Sequence, residues 1–97
     1  LACGGSARSC YIDAIHAAKK VDYEEAVKLI TEGDEAFIEG HDAHAGLLQK
    51  EASGEGTTVN LLILHAEDQL MSAEAFKTIA LEFIDAYKRI EALEKKA

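Results

Sequence analysis

The 97-residue chain has no proline and no tryptophan, and only seven glycines. Without proline, it lacks the residue that most firmly breaks a helix, so long uninterrupted helices are open to it. The two cysteines, Cys3 and Cys10, are too few for a secreted disulfide framework and read as a reduced pair in a cytosolic setting. Basic residues are scarce beside acidic ones, 10 against 18, for a net charge of −8. No basic face is therefore available to neutralise phosphates, which argues against a nucleic-acid partner. No apolar run reaches the roughly 18 residues of a membrane span, and no signal peptide is visible. The chain begins at Leu1 rather than Met, which leaves room for a short native leader. What remains is rich in Ala, Leu, Ile, Glu and Lys, the composition of a few long helices in one domain spanning residues 1–97.

Two breaks divide the chain into three helical segments, expected at about residues 5–20, 22–52 and 57–93. In the first, Ser6 is a candidate cap, and Ala7, Tyr11, Ala14, Ile15 and Ala18 follow the helical period. The second opens at Asp22-Tyr-Glu-Glu25, which has capping-box spacing with acids in the first turn. Its apolar stripe runs through Ala26, Ile30, Phe37, His41, His44, Ala45, Leu48 and Ala52. Gly33 and Gly40 each cost that helix about 1 kcal/mol relative to Ala, which argues for close packing or a kink. Ser53-Gly54-Glu55-Gly56 is the clearest turn, after which Thr57 or Thr58 caps the third helix. Short connections make successive helices antiparallel neighbours. The fold expected is all-α, an antiparallel up-down-up three-helix bundle.

The third helix carries more apolar surface than a lone bundle requires. Leu61, Leu64, Met71, Ala75 and Ile79 share one side with Asp68, while Leu62, Ala66, Ala73, Ala80 and Tyr87 occupy another. A helix in a monomeric bundle needs one apolar stripe. The second stripe therefore points to packing against other copies of the chain. His65 lies on the shoulder between the two faces, about 60° from Asp68 at 100° per residue. A neutral imidazole at such a seam has a nucleophilic lone pair near neutral pH. Donors for a phosphoryl group there would come from side chains such as Gln69, His41, His44 or Arg8, since the macrodipole fades within the first turn. Copies of Asp68 on an intersubunit face would repel unless protonated, paired or bound to a divalent cation such as Mg²⁺ or Ca²⁺. His16, off the main stripe of the first helix, reads as a solvated surface residue.

The run His65-Ala-Glu-Asp68-Gln-Leu-Met71 resembles the His-Ala-Gln-Asp-His-Leu-Met signature of the lactose/cellobiose-class enzyme IIA of the bacterial phosphoenolpyruvate-dependent sugar phosphotransferase system. Gly5-Ser6-Ala7-Arg8-Ser9, Glu39-Gly40-His41, Gln49 to Glu55 and Ala86-Tyr87-Lys88-Arg89-Ile90 resemble other parts of that family in the same order. The resemblance implies a cytoplasmic homotrimer of three-helix chains, a nine-helix bundle. In it His65 would take a phosphoryl group from phospho-HPr and pass it to the cysteine of the IIB component. The membrane IIC component would then import a disaccharide of lactose, cellobiose or chitobiose type. Asp68 would hold a divalent cation, with Mg²⁺ the leading candidate, at the trimer axis. Gln69, His41, His44 and Glu67 would surround the phosphoryl site.

Three positions depart from that pattern. Glu67 replaces a Gln, Gln69 replaces the second signature His, and His44-Ala45 stands where the family usually has Gln-Thr. Glu67 adds negative charge that disfavours phosphorylation if it faces His65. His44 is the candidate to supply the imidazole lost at Gln69. A rival reading is a metal-binding helical bundle, since Asp13/His16, His41/His44 and His65/Asp68 all have one-turn spacing. Ferritin-like sites also need inward glutamates on facing helices, and that set is incomplete. A plain oligomerisation bundle with satisfied histidines is the other rival.

Overall fold

The computed structural model describes residues 6–54 and 61–97, apart from the side chains of Leu47, Leu48, Glu51, Leu61, Leu62 and Ile63. It contains three helices, α1 (Ala7–Lys19), α2 (Tyr23–Ala52) and α3 (Leu61–Lys96), and no strand among the described residues. The all-helical, three-helix expectation is met. The expected opening of the third helix at Thr57 or Thr58 falls outside the described residues, and α3 runs one turn beyond the expected end at Leu93.

Local chemistry sets the boundaries of α1 and α2. The Ser6 hydroxyl accepts the backbone N–H of Ser9 and caps α1. Asp22 Oδ1 accepts the N–H of Glu25 at 3.2 Å and caps α2, with Glu24 and Glu25 in its first turn. Between them the chain closes a Schellman motif. The Asp22 N–H bonds back to the Ala17 carbonyl and the Val21 N–H to the Ala18 carbonyl, both at 2.9 Å. Val21 holds the left-handed position at φ 66°, a place usually filled by glycine.

The core is built largely from alanine, so the helices approach closely. Cys10, Ala14, Ala17 and Ala18 of α1 meet Ala26 and Leu29 of α2 and Ile84 of α3, with Tyr23, Ile30 and Tyr87 at its edge. A second cluster joins Tyr11 to Ala73 and Ala80, flanked by Phe37 and Phe76. Gly33 has a packing reason: a Cβ there would meet Tyr11 Cε1 at 2.5 Å. Cys10 is fully buried and disulfide-bonded, which corrects the reduced-pair expectation. That expectation rested on cysteine count and spacing, and neither reports pairing. Among the described residues, no helix is long and apolar enough to cross a membrane.

Helix lengths matter most for function. At 13 residues α1 covers only part of α2 and α3, which have 30 and 36. Its first turn reaches the level of Phe76, where the Arg8 guanidinium sits 5.0 Å from the ring centroid. Beyond that level α2 and α3 continue as a two-helix arm, and the molecule measures 64 × 20 × 18 Å.

Candidate phosphoryl-transfer site

The arm carries the histidines. Its register follows from two contacts: the Lys77 ammonium lies 3.0 Å from Asp34, and a Cβ at Gly40 would meet Leu70 at 3.1 Å. In that antiparallel register, His41 stands level with Gln69 and His44 with Ala66 and Glu67. Two packed helices without a third cannot enclose their side chains, and His65, Ala66, Glu67, Asp68 and Gln69 are all exposed.

Among the described residues, His65 has one side-chain hydrogen-bond partner, Gln69 one turn further on. The carboxamide nitrogen of Gln69 lies 3.3 Å from Nε2 of His65. The exposed ring can therefore be approached from solvent while one nitrogen is oriented by the helix itself. Glu67 lies two residues on, about 200° around the helix, and does not face His65. The sequence-based concern about a charge pressed against the imidazole therefore does not apply to this geometry. Arg8 is held over Phe76, about 16 Å along α3 from His65, and is not a donor to it within one chain.

The two histidines of α2 behave differently. His41 is exposed and stacks on Phe37, with ring centroids 6.0 Å apart and planes at 25°. His44 is half-buried, and its Nδ1 is enclosed without a hydrogen-bond partner among the described residues. Among the described residues, Gln69 and not His44 bonds His65. A cavity of about 570 Å³ opens between α2 and α3, lined by Tyr11, Asp34, Phe37, His41, Glu74 and Lys77 among others. Its lining on α3 starts at Glu74, about two and a half turns from His65, which does not line it. A polar network fixes its floor. The Tyr11 hydroxyl donates to Asp34 Oδ1 at 2.7 Å, and Lys77 pairs with the same oxygen. Burial first, then the Asp34 hydrogen bond and charge, hold the Tyr11 phenol above its ordinary value. Sequence reasoning missed this network because its partners come from three helices, and no local spacing relates them.

Asp68 lies on the exposed apolar side of α3 with Leu64, Met71, Ala75 and Ile79, the face expected for contacts between chains. The opposite face is the core face: Ala73 and Ala80 are buried and Tyr87 is half-buried. Ala66, expected with that group, is exposed because α1 does not reach it. Among the described residues, no group of three or more His, Cys, Asp or Glu is placed to hold a metal ion. One chain offers a single carboxylate on this face. Its oxygens suit a hard cation such as Mg²⁺ or Ca²⁺, but six or more ligands are needed. The donor set fits such an ion only if several copies of Asp68 converge.

Known proteins resemble this chain over most of its length. Residues 1–88 match the model of the family described as PTS system, lactose/cellobiose specific IIA subunit. The oligo-beta-mannoside-specific EIIA component of Bacillus subtilis is 40% identical over 84 residues, covering 87% of this chain and 76% of that protein. The cellobiose-specific EIIA component of Lactococcus lactis is 39% identical over 93 residues, 96% of this chain and 80% of that one. The crystal structure of the PTS cellobiose-specific enzyme IIA from Bacillus anthracis superposes with a TM-score of 0.83 at 42% identity. That match covers 89% of this chain and 79% of the solved one.

Proposed function

The chain belongs to the lactose/cellobiose-specific IIA family of the sugar phosphotransferase system, and from that premise we propose that it carries a phosphoryl group on His65 between two partner proteins. It is a phosphotransferase component. The observation that carries the reading is an accessible imidazole on the flank of α3, hydrogen-bonded through Nε2 to a neutral side chain and bordered by exposed Leu64 and Met71. In the first step a ring nitrogen of His65 attacks the phosphorus of phospho-HPr. The new P–N bond forms as the bond to the HPr imidazole breaks. In the second, a IIB cysteine thiolate attacks the same phosphorus, and the His65 imidazole leaves. No covalent rearrangement of the carrier is needed, so catalysis rests on positioning and electrostatics. Open space around the ring suits a residue that must meet donor and acceptor in turn.

His41 and His44 border the site from α2 as proposed supporting residues, with the unpaired Nδ1 of His44 a spare polar group at the matching level. The proposed assembly is a homotrimer in which the exposed stripe of α3 packs around the axis and Asp68 of each chain contributes to a divalent cation site. Such a cation would offset repulsion among the carboxylates. The work is placed in the cytoplasm, with the membrane reached only through a IIC component. The transported sugar belongs to the lactose, cellobiose or chitobiose class.

The test is incubation with phosphoenolpyruvate, enzyme I and HPr, read by intact mass. One acid-labile phosphoryl adduct, absent in His65→Ala, is the expected result. Failure of the wild-type chain to acquire an adduct, or an adduct that persists in His65→Ala, would overturn the assignment. Stoichiometric iron or zinc without an adduct would favour the metal-binding bundle.

A further inference from the structure

We propose that Gln69 is a positioning residue that fixes the tautomer of His65, keeping the lone pair on Nε2 and the proton on Nδ1; this rests on His65 being the phosphoryl carrier. The geometry is a carboxamide nitrogen 3.3 Å from a ring nitrogen, one helical turn apart. With the carboxamide turned nitrogen-first to the ring, Gln69 donates and Nε2 accepts, and a neutral imidazole in that arrangement has its single proton on Nδ1. Position 69 follows His65 by four residues, the spacing at which helix side chains meet. No other side chain bonds His65, so this contact alone biases the ring among the described residues.

The consequence is a nucleophile with a defined atom. Nε2 would attack the phosphorus, and the P–Nε2 bond would form as the donor's P–N bond breaks, with the Nδ1 proton kept throughout. The N–H of Gln69 that pointed at the lone pair would then point at a phosphoryl oxygen, so one donor serves the free and the loaded ring. At this position the related signature has an imidazole, which either donates or accepts when neutral. The amide nitrogen donates at every working pH. Nothing in α2 is needed for this, which separates Gln69 from His44.

The test compares the full chain with Gln69→Glu and Gln69→Leu, all labelled with ¹⁵N. Long-range ¹H–¹⁵N correlation at a pH where the ring is neutral reports the tautomer without any partner protein. The wild type is expected to show His65 protonated on Nδ1, and ³¹P–¹⁵N coupling after loading is expected on Nε2. Glutamate has the same shape but only accepts, so Gln69→Glu should move the proton to Nε2 and lower phosphoryl acceptance more than tenfold. Gln69→Leu should let both tautomers appear and lower acceptance about fivefold, the size of one lost neutral hydrogen bond. A purely structural role would leave the ring proton in place in all three chains. The proposal is overturned by an Nε2–H tautomer in the wild type, by phosphate on Nδ1, or by a tautomer unchanged in Gln69→Glu. A chain that never acquires phosphate defeats the carrier reading, while the tautomer measurement still decides the role of Gln69.

Discussion

Replacing Gly33 and Gly40 by alanine, one at a time, should move stability in opposite directions. Both sit inside α2, where Gly→Ala gains about 1 kcal/mol in helix propensity. At Gly33 the new Cβ would lie 2.5 Å from Tyr11 Cε1, 2.9 Å from Cδ1 and 3.0 Å from Cζ. The ring cannot step aside freely, since it is buried and its hydroxyl is bound to Asp34. Overpacking of that kind costs about 1–3 kcal/mol. Loss of the hydroxyl bond to a charged partner adds roughly 1.5–3 kcal/mol if the ring tilts away. Net destabilisation of about 2 kcal/mol follows for Gly33→Ala. At Gly40 the nearest atom is a terminal Leu70 methyl carbon at 3.1 Å, the movable end of a side chain. Gly40→Ala should therefore be neutral or up to about 1 kcal/mol more stable. Urea denaturation followed by circular dichroism, at one fixed protein concentration because assembly shifts apparent stability, reads both. A Gly33→Ala protein as stable as wild type would show that Tyr11 does not press on α2 as described. A Gly40→Ala protein destabilised by 2 kcal/mol or more would refute the asymmetry itself.

Three further outcomes follow. Val21→Gly should stabilise the chain by about 0.5–1 kcal/mol, since relief of the left-handed strain exceeds the entropy cost of glycine and Val21 is half-exposed; an unchanged or lower melting temperature would contradict it. Tyr11 stays protonated in the fold beyond its ordinary pKa of about 10, so the unfolded chain loses that proton first. Its contribution to stability is full below about pH 10 and is lost as pH rises above it. Tyr11→Phe should flatten that alkaline decline in urea midpoints measured from pH 8 to 11, whereas parallel curves would exclude Tyr11 as the cause. Finally, Asp68→Leu should leave the proposed trimer intact or tighter in a chelator, because it removes repulsion and adds apolar contact; monomers in analytical ultracentrifugation would remove Asp68 from the axis.

The helices were legible because each level of the sequence agreed with the next. Ser6 and Asp22 were readable as caps, and each accepts the expected backbone N–H. The spacing of Ala73, Ala80 and Tyr87 against Leu64, Met71 and Ile79 correctly divided α3 into a core face and an exposed one. Less visible was whatever depends on distance between helices. The Tyr11–Asp34–Lys77 network needs the register of three helices, and local period carries no register. The end of α1 near residue 20 was legible, but not the left-handed turn that makes it, because a β-branched Val21 takes the place where the usual marker is glycine. The His65–Gln69 contact was legible as i,i+4 spacing. The sequence alone suggested His44 as the compensating group, because a missing imidazole invites a search for another one. In the structure it is the Gln69 carboxamide that stands beside the ring.

The exposed stripe of α3 links architecture to chemistry. Leu64, Met71, Ile79, Ile90 and Leu93 remain between 44% and 67% exposed in the single chain, on the side away from the core. Burying the remaining surface of each would contribute on the order of 1 kcal/mol at about 25 cal/mol per Å². The cost of holding several Asp68 carboxylates close falls within the same face. The proposed assembly would then set apolar gain along the helix against local repulsion at one level of it, which is where a cation would act. His65 sits about 60° from Asp68 around the helix. Packing centred on the stripe would therefore leave the imidazole at its rim, near a neighbouring chain and still open to a docking protein. Were His65 in line with Leu64 and Met71, the same packing would bury it beyond reach of any phosphoryl donor.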